Sequence, residues 1–149
     1  MQGVVVTEDV HVGVLMFIAN RWAETTVSEA VRRAGYDDIT LAQARVSARI
    51  APDGTRLTEL AEQAQISKQT ATHLINQMER GGYVERTIDP SDGRGRLVRF
   101  TDKGRDVIRI ARKEETKIDA QWTAHLGERR MRQLREALTM LREITDPYA

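Results

Sequence analysis

Cysteine is absent from the 149 residues, which excludes disulfides, thiol nucleophiles and thiolate metal ligands and leaves only noncovalent or pH-linked signals. No apolar run approaches the roughly 18 residues that a bilayer crossing needs. The opening Met1-Gln-Gly-Val-Val-Val-Thr-Glu-Asp9 lacks the basic segment of a secretory signal. A cytoplasmic location with no membrane partner is the expectation. The three histidines, His11, His73 and His125, are scattered, with no His-Glu-x-x-His arrangement for zinc, so no metal site is expected. Gly93-Arg94-Gly95 lacks the third glycine, the following helix and the lysine of a phosphate cradle. Asp89 and Asp92 could pair as catalytic carboxylates, but they sit in a turn, where aspartate is favoured for bonding to nearby backbone amides. No catalytic residue and no cofactor are assigned, and the chain is not expected to be an enzyme. Internal repeats and low-complexity linkers are also missing, so the length points to one domain or a small lobed chain with a single core.

What the sequence does contain is a pair of helical patterns followed by two strand-like runs. In Leu57-Thr-Glu-Leu-Ala-Glu-Gln-Ala64 the apolar positions 57, 60, 61 and 64 follow helical spacing, so one face is expected to be buried; Thr58 is the expected cap. The next helix, 67 to 80, opens at Ser67, whose hydroxyl suits the free amide hydrogens of a first turn. Its buried stripe is Ala71, Leu74, Ile75 and Met78. On the other face, Lys68, Gln69, Thr72, His73 and Asn76, with Ser67 and Thr70 at the start, offer hydrogen-bonding groups of moderate reach near the positive helix end. Such a face suits the major groove of double-stranded DNA, where base edges present distinct donors and acceptors. Gly81-Gly82 should end the helix.

Residues 83 to 88 and 96 to 101 are rich in β-branched, aromatic and long side chains, with Asp89-Pro90 and Asp92-Gly93 as turn signals between them. A hairpin is expected, its tip (89 to 96) carrying Arg94 and Arg96. An arginine on a narrow extended loop can enter a minor groove of strongly negative potential. Arg94 could instead pair with Asp92 or Asp89 and stiffen the loop; both roles are compatible, because an aspartate that holds the arginine also aims it, and Asp92 is the expected orienting residue. Between Ser67 and Arg105 eight Lys/Arg face five Asp/Glu, whereas the whole chain carries only +1. Positive charge is therefore concentrated in this segment.

The stretch resembles the winged helix-turn-helix of the MarR (multiple antibiotic resistance regulator) family of transcription factors. The matching residues are Leu60-Ala61, Ile66-Ser67, Thr70-Ala71, Met78-Glu-Arg-Gly-Gly-Tyr-Val84, and Asp89-Pro-Ser-Asp-Gly-Arg94 running to Leu97-Val-Arg-Phe-Thr-Asp-Lys-Gly104. Upstream, Ile39 to Val46 resembles the second helix of the family, with Thr40 and Gln43 forming a capping box. The resemblance implies a mostly α fold with a small β-hairpin wing: a winged helix-turn-helix lobe over 40–101 and a helical dimerisation region built from 8–34 and 102–146. It also implies a homodimer and a small aromatic or lipophilic anionic effector that releases a repressor. Three departures stand out. Ala44 and Ser47 are smaller than the side chains relatives usually carry, which either enlarges a cavity or shifts the packing. Gln65 occupies a turn position where many such proteins use glycine. His73 replaces a frequent arginine and either contacts a base or is simply exposed.

The terminal helices carry apolar stripes: Val10, Val14, Phe17, Ile18, Trp22 and Val27 in the first, and Met131, Leu134, Leu138 and Leu141 in the last. The latter is too short for a free coiled coil and must be covered by other helices. Trp22 and Trp122 read as core or interface fillers, with ligand stacking as the alternative. The functional expectation is a dimeric, operator-reading regulator. Its competitors are an effector-independent or architectural DNA-binding protein, or a winged helix docking a protein.

Overall fold

The computed structural model describes residues 9–148; Glu8, where the sequence pattern begins the first helix, lies outside them. Helix α1 spans Val12–Arg33. Its start is set by His11, whose Nδ1 accepts a hydrogen bond from the Gly13 amide at 2.9 Å, satisfying one of the orphan donors of the first turn. Helix α2, Leu41–Ser47, opens with the expected reciprocal cap: the Gln43 amide donates to Thr40 Oγ1 and the Thr40 amide donates to Gln43 Oε1, both at 3.2 Å. A two-residue strand β1 (Thr55–Arg56) leads into α3 (Leu57–Gln63), and α4 follows over Lys68–Arg80. Strands β2 (Val84–Asp89) and β3 (Asp92–Phe100) form the hairpin, and α5 (Asp102–Leu126) and α6 (Glu128–Thr145) complete the chain. The sheet is antiparallel in the order β1-β3-β2. The molecule is thus mostly helical with a small wing.

The core lies in the central lobe. Leu60, Ile75, Val46, Val84 and Val98 are completely buried, joined by Ile50, Leu74, Met78 and Tyr83. Each such buried aliphatic side chain contributes about 1.5–3 kcal/mol relative to exposure. On α3, Leu60 and Ala61 are buried while Leu57 and Ala64 are partly covered, as the spacing predicts. Thr58 is not the cap: Arg56 holds the N-cap position and makes no side-chain capping bond. Thr58 lies two residues past that position, inside the helix and exposed. In the turn between α3 and α4, Gln65 adopts φ of 57°, a left-handed conformation that costs a side-chain-bearing residue about 1–2 kcal/mol. Its Nε2 donates to the Glu62 carbonyl at 2.8 Å, a partial offset. Ala44 is exposed at the middle of α2, and at the end of the helix Ser47 Oγ donates to the Ala44 carbonyl at 2.7 Å.

Tyr83 joins the parts. Helix α4 ends in a Gly81-Gly82 exit, Gly82 with φ of 81°, and the Tyr83 amide returns to the Met78 carbonyl at 2.9 Å. The Tyr83 carbonyl accepts from the Thr101 amide at 3.1 Å, and Thr101 Oγ1 donates to the Gly82 carbonyl at 2.5 Å. Thr101 also caps α5, accepting from the Gly104 amide at 3.1 Å. The Tyr83 hydroxyl donates to Asp38 in the α1–α2 connection, and its ring packs edge-on against Tyr36 with the Lys103 ammonium 4.4 Å from the ring centroid. Burial, then the bond to Asp38, raises the Tyr83 pKa above the usual tyrosine value. The approach of α5 to this strand is close enough that a Cβ on Gly104 would lie 2.1 Å from the Tyr83 carbonyl oxygen. Gly104→Ala should therefore destabilise the chain by about 3 kcal/mol, at or beyond the upper end of ordinary overpacking. Urea unfolding checks this, and an unchanged midpoint would contradict the close approach.

Candidate nucleic-acid interface

Burial divides α4 into two faces. Ala71, Leu74, Ile75 and Met78 are buried, and Lys68, Gln69, Thr72, His73 and Asn76 together line a shallow open concavity on the other side. The helix starts at Ser67, whose Oγ accepts from the Thr70 amide at 3.0 Å and donates to Thr70 Oγ1 at 2.8 Å, a cap worth about 1 kcal/mol. Not all the predicted contact residues are equally available. Thr72 Oγ1 donates back to the Lys68 carbonyl at 2.8 Å, and Asn76 Oδ1 accepts from Arg86 Nη2 at 2.7 Å. Arg86 reaches across from β2 and also pairs with Glu79 at 2.9 Å. Lys68, Gln69 and His73 are exposed and carry no side-chain hydrogen bond or ion pair among the described residues. These three are the free donors and acceptors of the face. From behind, α2 supports the helix through Gln43, whose Nε2 donates to Gln77 Oε1 at 3.0 Å.

The wing differs from the expected loop. Strand β3 begins at Asp92, so the turn is only Pro90-Ser91. The ladder pairs Ile88 with Arg96 and then Asp89 with Asp92, which leaves Gly93, Arg94 and Gly95 as a bulge without partners on β2. Arg94 sits at the middle of that bulge, exposed, its guanidinium unpaired among the described residues. Arg96 is not at the tip: it lies in the ladder opposite Ile88, exposed, with Nη1 donating to the Gly95 carbonyl at 3.3 Å. The bulge moves the apex back by several residues, because each residue inserted on one strand displaces the pairing.

A pairing between Arg94 and either aspartate does not form. Asp92 Oδ1 accepts from the Arg94 amide at 3.1 Å, so it holds the backbone of Arg94 and leaves the side chain free. The cation that engages both carboxylates is Arg56, with Nε donating to Asp89 Oδ2 at 2.8 Å and Nη2 to Asp92 Oδ2 at 3.2 Å. Asp89 is buried and its other oxygen accepts from the Ser91 amide at 2.9 Å and hydroxyl at 2.7 Å. Arg56 was not singled out by sequence reasoning. The available signal was its place immediately before Leu57, where a short capping side chain is the rule and a long cation is not.

Those bonds from Ser91, followed by Arg56, lower the Asp89 pKa from an ordinary 3.8 to about 2. The Arg94 amide and Arg56 lower that of Asp92 as well. A depressed carboxylate stabilises the fold above its unfolded pKa and loses that contribution as pH falls through the folded value. The melting temperature of the native chain should therefore exceed that of Asp89→Asn by a constant margin above about pH 4, with the margin shrinking as pH drops to about 2. A margin independent of pH in that window would contradict the assignment.

Comparison with known proteins places this arrangement. A family model described as the MarR family matches residues 52–95, from the turn before β1 through the wing bulge. The transcriptional activatory protein BadR of Rhodopseudomonas palustris is 34% identical over 94 residues, which cover 63% of this chain and 53% of BadR. The chain spans about half the length of the curated relatives it matches. The reduced form of MarR from E. coli superimposes with a TM-score of 0.73 at 23% identity, covering 90% of this chain and 98% of that one. FabT of Streptococcus pneumoniae, solved in complex with DNA, gives 0.67 at 21% identity over 88% and 94% of the two chains; both structural likenesses speak to the fold. The MarR family model thus matches the segment from the turn before β1 through the wing, and the winged-helix architecture around that segment is shared with MarR from E. coli.

Proposed function

We propose that the chain is a double-stranded DNA-binding transcription regulator that acts as a homodimer, with α4 in the major groove and Arg94 in the adjoining minor groove. The observation that carries this reading is the pairing of two presented features on one lobe. One is a helix face whose free groups are Lys68, Gln69 and His73; the other is a bulge that displays an unpaired arginine. Base edges require the first and a narrow, electronegative groove the second. FabT, of the same fold, was solved with DNA, which supports the same use of the lobe here.

Dimerisation is supported by what a single chain leaves exposed. Val14, Leu15, Phe17 and Ile18 on α1 and Leu134, Leu138, Leu141 and Ile144 on α6 are all exposed, and α6 buries no residue at all. Apolar surface of this extent on a monomer marks an interface. Trp22 and Trp122, with ring centroids 6.2 Å apart, join α1 to α5 and read as packing residues. A twofold dimer would read half-sites centred about 10 bp apart.

Effector control is a further part of the proposal, with repression released by a small molecule. A cleft of about 450 Å³ at the α1–α2 corner is lined by Thr25, Ser28, Glu29, Arg32, Asp37, Asp38, Ile39, Thr40 and Leu41. Three carboxylates and one guanidinium make it a poor receptor for the lipophilic anion that family resemblance implies. An anionic effector would have to bind elsewhere, and a change of state requires different affinity for the two arrangements of the lobes.

Selection of bound duplexes from random DNA tests the core proposal, the expected result being a near-palindrome with half-site centres one helical turn apart. On the selected site Arg94→Ala should cost about 1–3 kcal/mol with unchanged thermal unfolding. The affinity of the native dimer should fall steeply with salt, as expected for release of about 6–10 counterions. No enrichment over input, or a flat salt profile, would refute the reading.

A further inference from the structure

Arg56 belongs to neither the groove-facing helix nor the wing, yet it is bonded to the turn from which the wing arginine projects. It occupies the N-cap of α3 without capping it, a position where a short side chain would normally accept from a first-turn amide. Its guanidinium runs instead along the wing to Asp89 and Asp92. Room for that path exists because residue 95 is glycine: a Cβ there would lie 2.6 Å from Arg56 Nη2. Asp92 then uses its second oxygen to hold the Arg94 amide. The chain of bonds runs from the first residue of the helix-turn-helix, through two carboxylates, to the backbone of the exposed arginine.

We propose that Arg56 is a positioning residue for the minor-groove contact, fixing the reach and direction of Arg94 relative to the polar face of α4. The inference rests on the DNA-binding reading above. Helix α3 packs on α4 through the core residues Leu60, Leu74 and Ile75, so anything anchored at the start of α3 shares the frame of α4. The bulge it anchors has glycine on both sides of Arg94, and glycine confers the widest backbone freedom of any residue. Unanchored, the bulge would have to be ordered by each binding event, and that ordering cost is subtracted from affinity. Arg56 itself is matched by two carboxylates, so its charge is compensated within the protein and it acts through Arg94 rather than as a phosphate ligand.

A double-mutant cycle on the selected duplex tests this. Arg56→Gln removes the ionic clasp, and Gly95→Ala displaces the guanidinium while keeping every charge. Each should weaken binding by about tenfold, or ~1.4 kcal/mol, yet by less than about twofold when Arg94 is already alanine, since a positioning effect vanishes with the group it positions. The salt slope should stay at the native value, because no phosphate contact is lost. Equal losses with and without Arg94 would overturn the proposal in favour of a general effect. So would a loss with Arg56→Gln but none with Gly95→Ala, which would assign the effect to repulsion between uncompensated Asp89 and Asp92 and the phosphates. Circular dichroism and melting identify a variant that fails to fold, in which case Gly95→Ala alone decides. If the native chain ignores the duplex, the DNA-binding reading fails and this inference with it; if native binding is tight and Gly95→Ala matches it, only the inference fails.

Discussion

The seating of Tyr83 is the constraint on which the remainder of the structure depends. Its amide closes α4, its carbonyl receives β3 as that strand turns into α5, and its hydroxyl reaches Asp38 in the connection between α1 and α2. Backbone groups at such a crossing must find partners once water is excluded, and here each partner comes from a different segment. The absent side chain of Gly104 lets α5 start against the same carbonyl. A single residue thereby sets how the long helices leave the lobe, and in a dimer it would set where the two lobes are held.

Around that junction, rigidity and availability are divided between neighbouring residues. On α4 the apolar face is anchored in the core, and Gln43, Arg86 and Ser67 secure the helix at its back, side and start. Lys68, Gln69 and His73 are left to the solvent, ready to exchange water for a partner. The wing follows the same logic with charge: Asp89 and Asp92 are satisfied by Arg56 and by backbone amides, while Arg94 keeps its guanidinium free. A carboxylate held this way is also electrostatically muted, which matters on a surface proposed to approach a polyanion.

Much of this was legible in the chain itself. Helical spacing identified the buried stripes of α3 and α4, and Thr40 and Ser67 announced the starts of α2 and α4, because these features depend only on neighbours a few residues away; the start of α3 was misread at Thr58. The hairpin was legible as two strand-like runs, but its register was not. Asp89-Pro90 and Asp92-Gly93 each look like a turn, and the choice of Pro90-Ser91, with 93–95 expelled as a bulge, was made by pairing across the whole ribbon. Arg96 moved from the expected tip into the ladder for that reason.

By itself, the order of residues determined the helix faces, the caps at Thr40 and Ser67, the concentration of positive charge after Ser67 and the presence of a wing, all consequences of local spacing and side-chain chemistry. Tertiary structure alone decided which cation would neutralise the wing aspartates. Arg94 is two residues from Asp92 along the chain, but Arg56, thirty-six residues away, lies nearer in space, because pairing of β1 with β3 brings the start of α3 beneath Gly95. An ion pair follows distance through the fold, and that distance is set by strand pairing and core burial rather than by position in the sequence.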